Sequence, residues 1–213
     1  MTLWPGLFLI SLLLIPFPSH AADDIMDHYL SVPGSYAFVR RAPEGAVPDR
    51  VSMTVFEDFL CPVCYQTASE LIPRLKDKYH DRLDVRFIGY PLIHPKSRLP
   101  ARAYAIAHEF GLSEQMQRAL FRAQFEEQLD TTSRDGLARV AHSIGLDPEL
   151  LLARLDDDGG SAEVERNLAL GESYHIDAVP GIILDGWIRV TTLSLENLET
   201  IIDGLLEKKG ASP

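Results

Sequence analysis

Two cysteines, Cys61 and Cys64, stand three residues apart and are the only ones in 213 residues. Their setting narrows what the chain can be. The segment Val51 to Leu60 before them is rich in Val, Phe and Met and reads as a strand. After them, Tyr65, Ala68, Leu71, Ile72, Leu75 and Tyr79 recur at helical spacing along one face. Cys61 is therefore expected where a strand hands over to a helix N-terminus. Unpaired N–H groups and the helix dipole there favour a thiolate over a thiol. Pro62 suits the first helical turn, which has no use for its missing N–H. Cys64 falls in that same turn, close enough to form a disulfide with Cys61.

Other uses of the pair are less economical. A disulfide closing so short a loop stabilises a fold by only about 2 kcal/mol, which makes it a poor staple. Zinc needs two further ligands; no other cysteine exists, and neither His94 nor His175 has ligand spacing. We therefore expect a redox pair, with no metal and no cofactor.

Residues 1 to 21 read as a signal peptide, cleaved after Ala21, with one domain over 22–213. Met1 to Ala22 holds no Lys, Arg, Asp or Glu, and Leu3 to Ile15 is almost wholly apolar. That run is shorter than the roughly 20 residues a bilayer requires, so stable membrane insertion after cleavage is not expected. The net charge of −11 then belongs to the remaining domain and argues against nucleic acid as a partner. Export to an oxidising compartment suits a reversible disulfide.

The rest of the chain alternates in type. Asp23 to Leu30 is expected as a short helix, Tyr36 to Arg40 as a strand and Pro43 to Asp49 as a turn-rich link. Pro73 should kink or restart the cysteine helix. Asp84 to Ile88 reads as a strand parallel to the first, completing a β-α-β unit. From about residue 96 to 172 every segment is helical, including Arg102 to Phe110, Glu114 to Leu129 and Arg134 to Ile144. His108 and His142 in that block are expected on the surface. Ile176 to Val190 reads as two strands around a tight Asp-Gly turn. Ser194 caps a final helix, and the tail from Lys208 to Pro213 is expected to be loose.

This order, with Cys61-Pro62-Val63-Cys64-Tyr65-Gln66, Tyr90-Pro91-Leu92-Ile93-His94-Pro95 and Val179-Pro180-Gly181, resembles the DsbA-like branch of the thioredoxin superfamily over about residues 35–206. The resemblance implies an α/β thioredoxin fold with an all-helical insertion between a βαβ half and a C-terminal ββα half. It implies a periplasmic protein disulfide oxidoreductase acting on exported cysteine-containing proteins, with a membrane redox partner. Cys61 would be the attacking cysteine and Cys64 the resolving one. Pro180 would be a cis-proline facing the disulfide, and Val179 would offer its backbone to an extended substrate. Pro62 and Val63 would tune the pair. A dithiol oxidant is the leading reading; a reductase or isomerase of the same fold, or a copper or assembly chaperone using both thiols, are the others.

Two positions depart from the family pattern. Val63 stands where DsbA has a histidine that steadies the thiolate. Val55 stands six residues before Cys61, where the superfamily often keeps a buried acid. Glu57 and Asp58 lie nearby. If strand alternation holds, one of them can face the Cys61 side; a solvated strand end for both is the equally weighted alternative. Without the histidine, the Cys61 pKa should fall between about 3.5, the DsbA value, and about 7, that of thioredoxin. The protein should then be a weaker oxidant than DsbA.

Overall fold

A computed structural model describes residues 31–41 and 49–210. The expected signal peptide and the Asp23–Leu30 helix lie outside them, as does most of the Pro43–Asp49 link.

The sheet has five strands in the order β1-β5-β4-β2-β3. Inner strand β2 (Val51–Glu57) runs parallel to edge strand β3 (Leu83–Gly89), in register from Val51 opposite Leu83 to Glu57 opposite Gly89. On its other side it runs antiparallel to β4 (Gly181–Leu184), which pairs with β5 (Ile188–Val190), and β5 pairs with β1 (Tyr36–Phe38). Asp185 and Gly186 both take left-handed φ between β4 and β5, the backbone a tight turn requires. β2 alternates between two cores. Val51, Met53 and Val55 face one, while Phe56 joins Ile88, Tyr90 and Ile183 in the other.

The cysteine helix is broken in the middle. It comprises α1 (Pro62–Gln66), a π-helical turn over Thr67–Leu71, and α2 (Ile72–Tyr79). Pro73 has no N–H to return to the preceding turn, and the Ile72 N–H reaches back to the Thr67 carbonyl across the widened turn. The restart has a consequence for packing. The six residues expected on one face divide: Tyr65 and Ala68 pack on the helical insertion, whereas Leu71, Ile72, Leu75 and Tyr79 pack on the sheet.

The insertion is α3 (Arg98–Glu109), α4 (Ser113–Phe125), α5 (Arg134–Ser143), α6 (Pro148–Asp156) and α7 (Ser161–Ser173). Its own core centres on Ile106, Met116, Leu120, Leu137 and Leu151. Side-chain caps set its boundaries: Ser133 accepts the Gly136 N–H and Asp147 the Glu149 N–H. His108 and His142 are exposed, as expected. The fold is the α/β thioredoxin arrangement with a helical insertion that the sequence implied.

Several boundaries need correction. β1 ends at Phe38 rather than Arg40. β2 ends at Glu57 rather than Leu60, because Asp58 to Leu60 form a turn in which the Cys61 N–H donates to the Asp58 carbonyl (3.0 Å). α4 ends at Phe125, short of Leu129. Ile176 to Pro180 are not strand, since the ladder with β2 starts only at Gly181. The tail is not loose up to Gly210. α8 (Leu195–Gly210) carries Lys209 into the protein, where Nζ donates to the Arg50 carbonyl (2.7 Å) and meets Asp185 Oδ2 at 2.8 Å.

Candidate redox site

Cys61 is the N-cap of α1. Its Sγ accepts the Cys64 backbone N–H at 3.3 Å, so a sulfur takes the place a serine or aspartate oxygen would hold. Pro62 follows at the first helical position. Both cysteines are free and nearly covered, at 3 % exposure for Cys61 and 1 % for Cys64, while Pro62 and Val63 stand exposed beside them. What separates the two thiols is charge stabilisation. The Cys61 pKa is lowered to about 6, first by the Cys64 side chain and then, against the cost of burial, by the backbone N–H groups of Cys64 and Val63. Asp58 pushes the other way by like charge. Cys64 is raised, first because it serves as donor to Cys61 and then by burial. One sulfur is made ready to carry charge; its neighbour keeps a proton.

The structure brings the other expected residues to the pair. The Val179–Pro180 bond is cis, at the N-terminal end of β4. The Val179 carbonyl lies 3.7 Å from Cys61 Sγ and accepts from the thiol. Val63 is 45 % exposed and has no polar atom to offer the sulfur.

Glu57 and Asp58 are both buried at 1 % exposure, so the expectation of a solvated strand end is overturned. Alternation does not choose between them, because β2 stops at Glu57 and Asp58 already belongs to the turn. Asp58 has its charge satisfied by three backbone donors: Leu60 on Oδ1 and Leu92 and Ile93 on Oδ2, each at 2.8 Å. Glu57 has no such shell. Both its oxygens are held by one amide, Gln117 Nε2, at 2.8 and 3.0 Å. Burial raises its pKa to about 8, with the Gln117 bond acting against that and the Cys61 charge adding to it. An acid that keeps its proton up to about pH 8 thus lies within electrostatic reach of Cys61, two residues along the strand from Val55.

Gln117 went unseen in the sequence. It sits in α4 directly after Met116, and a glutamine in an amphipathic helix reads as surface; only its 5 % exposure reveals it. Tyr104 and Phe121 were missed too. Their rings sit 5.2 and 5.3 Å from that of Phe59, and so join the insertion to the turn that carries Cys61.

A thioredoxin family profile matches residues 45–204. This chain belongs to the thioredoxin family. Among characterised proteins it is similar to disulfide bond formation protein D of Bacillus subtilis, at 24 % identity over 75 % of this chain and 74 % of that one. Among solved structures it resembles Pseudomonas aeruginosa DsbA (TM-score 0.66, 18 % identity, 84 % of this chain and 93 % of that one). Xylella fastidiosa DsbA (0.68, 19 %, 85 % and 100 %) and oxidised Bacillus subtilis BdbD (0.64, 21 %, 79 % and 90 %) are also similar. At these identities the structural likeness concerns the fold.

Proposed function

We propose that the chain is an exported protein disulfide oxidoreductase that donates its Cys61–Cys64 disulfide to cysteine pairs of substrate proteins. The observation that carries this reading is the asymmetry of the pair: an N-cap sulfur that bears charge easily beside a buried one that does not. Its resemblance to disulfide bond formation protein D supports the oxidant direction.

The order of attack follows from the asymmetry. A client thiolate attacks Cys61 Sγ of the oxidised pair, the Cys61–Cys64 bond breaks, and Cys64 leaves with the electron pair and takes up a proton. The second client thiolate attacks the client sulfur of the mixed disulfide, and Cys61 departs as a thiolate. The client loses two electrons and gains a disulfide; the protein gains them as a dithiol. A Cys61 thiolate stabilised as far as a pKa of about 6 makes that departure favourable. Val179 and Pro180, against Cys61, would bind the client backbone. Export rests on residues 1–21 as a signal peptide, and reoxidation would fall to a membrane redox partner. No helix among the described residues is long and apolar enough to cross a membrane.

Trapping tests the roles. Cys64→Ser should accumulate mixed disulfides with client proteins through Cys61, and Cys61→Ser should accumulate none; equal trapping by both overturns the assignment. The thiol state of freshly isolated protein decides direction. A disulfide is expected, and a dithiol would turn the reading to a reductase or isomerase.

A further inference from the structure

Among the described residues β3 pairs with β2 alone, so its other edge lies at the border of the sheet. Each residue of a strand points its N–H and C=O to one side, and successive residues alternate. The Tyr90 N–H donates to the Glu57 carbonyl (2.7 Å), so the even-numbered residues of β3 face β2 and the odd-numbered ones face outward. Two side chains of the insertion cap the outward row at its C-terminal end. Tyr104 Oη in α3 donates to the Phe87 carbonyl and Asn167 Nδ2 in α7 to the Gly89 carbonyl, each at 3.3 Å. At the N-terminal end the Leu83 N–H returns to the His80 carbonyl.

Four groups remain between these stops: the Leu83 carbonyl, the Val85 N–H and carbonyl, and the Phe87 N–H. None has a hydrogen-bond partner among the described residues. The stretch contains neither proline nor bulge, two devices that commonly close an edge. A groove of about 190 Å3, lined in part by Val85, Phe87, Tyr104 and Glu114, leaves room beside it. The two donors and two acceptors are symmetric about Val85. An antiparallel second copy centred there satisfies all of them, with two bonds exchanged between the Val85 residues and one from each Phe87 N–H to a Leu83 carbonyl.

The charges select the same register. Asp84 and Arg86 are exposed and make no ion pair among the described residues. Centred on Val85, each Asp84 lies opposite Arg86 of the partner subunit. Centring on Asp84 or on Arg86 would instead set like charges opposite each other, which is destabilising.

We propose that the chain associates with a second copy of itself by antiparallel pairing of β3 with β3 about Val85, joining two sheets into one. The interface is short, so the association is weak and reversible. The antiparallel arrangement sets the two cysteine pairs at opposite ends of the joined sheet, and it does not depend on the function proposed above.

Sedimentation of the chain starting at Ala22, from low micromolar to near-millimolar concentration, should show a mass rising toward twice that of one chain. Asp84→Arg sets Arg opposite Arg, and Arg86→Asp sets Asp opposite Asp; each should raise the dimer Kd about tenfold or more. The two substitutions together re-form the pairs with signs exchanged and should restore the parent Kd. Amide exchange at Val85 and Phe87 should slow in the parent as its concentration rises. A monomer throughout the range overturns the proposal, as does a dimer that neither single reversal weakens or that the double reversal fails to restore. Protection of the two amides that is independent of concentration also overturns it, giving the edge to another segment of the same chain.

Discussion

At the scale of single residues, Glu57 combines complete burial with a single neutral partner, the Gln117 amide. The folded carboxyl has its pKa raised to about 8, chiefly by burial, against about 4.3 in an unfolded chain. Between those values the folded chain holds a proton that the unfolded chain releases. Stability from this group is therefore intact below about pH 4.3 and falls as pH rises to about 8. Glu57→Gln keeps the shape and the hydrogen bonding but removes the titration. In urea melts of the oxidised protein, its stability relative to the parent should rise by about 2–4 kcal/mol between pH 5 and pH 8. A difference that stays flat with pH would mean that Glu57 does not titrate in that range. Val63 acts by what it lacks. With no donor from this side chain, the sulfur relies on helix amides and Cys64, and its pKa of about 6 falls inside the interval expected from the sequence.

At the scale of elements, α8 is held at its far end by an ion pair. Lys209 bridges the β4–β5 turn at Asp185 and the residue before β2 at Arg50, while Asp185 Oδ1 also accepts the Ser52 N–H (3.0 Å). One lysine thus connects a helix terminus, a hairpin turn and the start of β2. Removing one member of a buried pair leaves the other charge uncompensated, whereas replacing both can be close to neutral. Lys209→Met should destabilise by about 3 kcal/mol, and adding Asp185→Asn should recover much of that loss. Denaturant melts of the four proteins in the cycle check it; additive losses would show that the pair is not coupled. The tail reads as loose in the sequence because lysines near a C-terminus usually are solvated, and nothing in Lys208-Lys209 marks which of them turns inward.

At the scale of the whole molecule, the insertion and the thioredoxin half are distinct in sequence but share material. Phe59, Cys61 and Cys64 belong to the same apolar cluster as Ile106, Met116 and Leu120, and Gln117 reaches from the insertion to the end of β2. The redox pair lies in the seam. Unfolding should therefore be one transition. In a chain starting at Ala22, Trp187 is the only tryptophan and is buried in the sheet core, whereas far-ultraviolet circular dichroism is dominated by the insertion helices. The two signals should give the same midpoint in guanidinium. Separate midpoints would show that the insertion folds as a unit of its own.

Local chemistry made much of this protein legible from its sequence. A CxxC after an apolar strand and before a helical run placed Cys61 at an N-cap, because only neighbouring residues are needed to make that junction. Pro73, the Asp185-Gly186 turn and Ser194 likewise act within a few residues of themselves, and the elements they mark were found where expected. The resemblance carried by Val179-Pro180-Gly181 brought a segment more than a hundred residues away against Cys61, which no local pattern could do. Tertiary structure alone decided the electrostatics beneath the pair. Whether an acid at a strand end is solvated or buried depends on what covers it. For Glu57 the cover includes α4, folded over the strand end from about sixty residues away, and for Asp58 it is the backbone of the loop at Leu92 and Ile93. Burial and partner are properties of the assembled chain, and they set the charge that the site can hold.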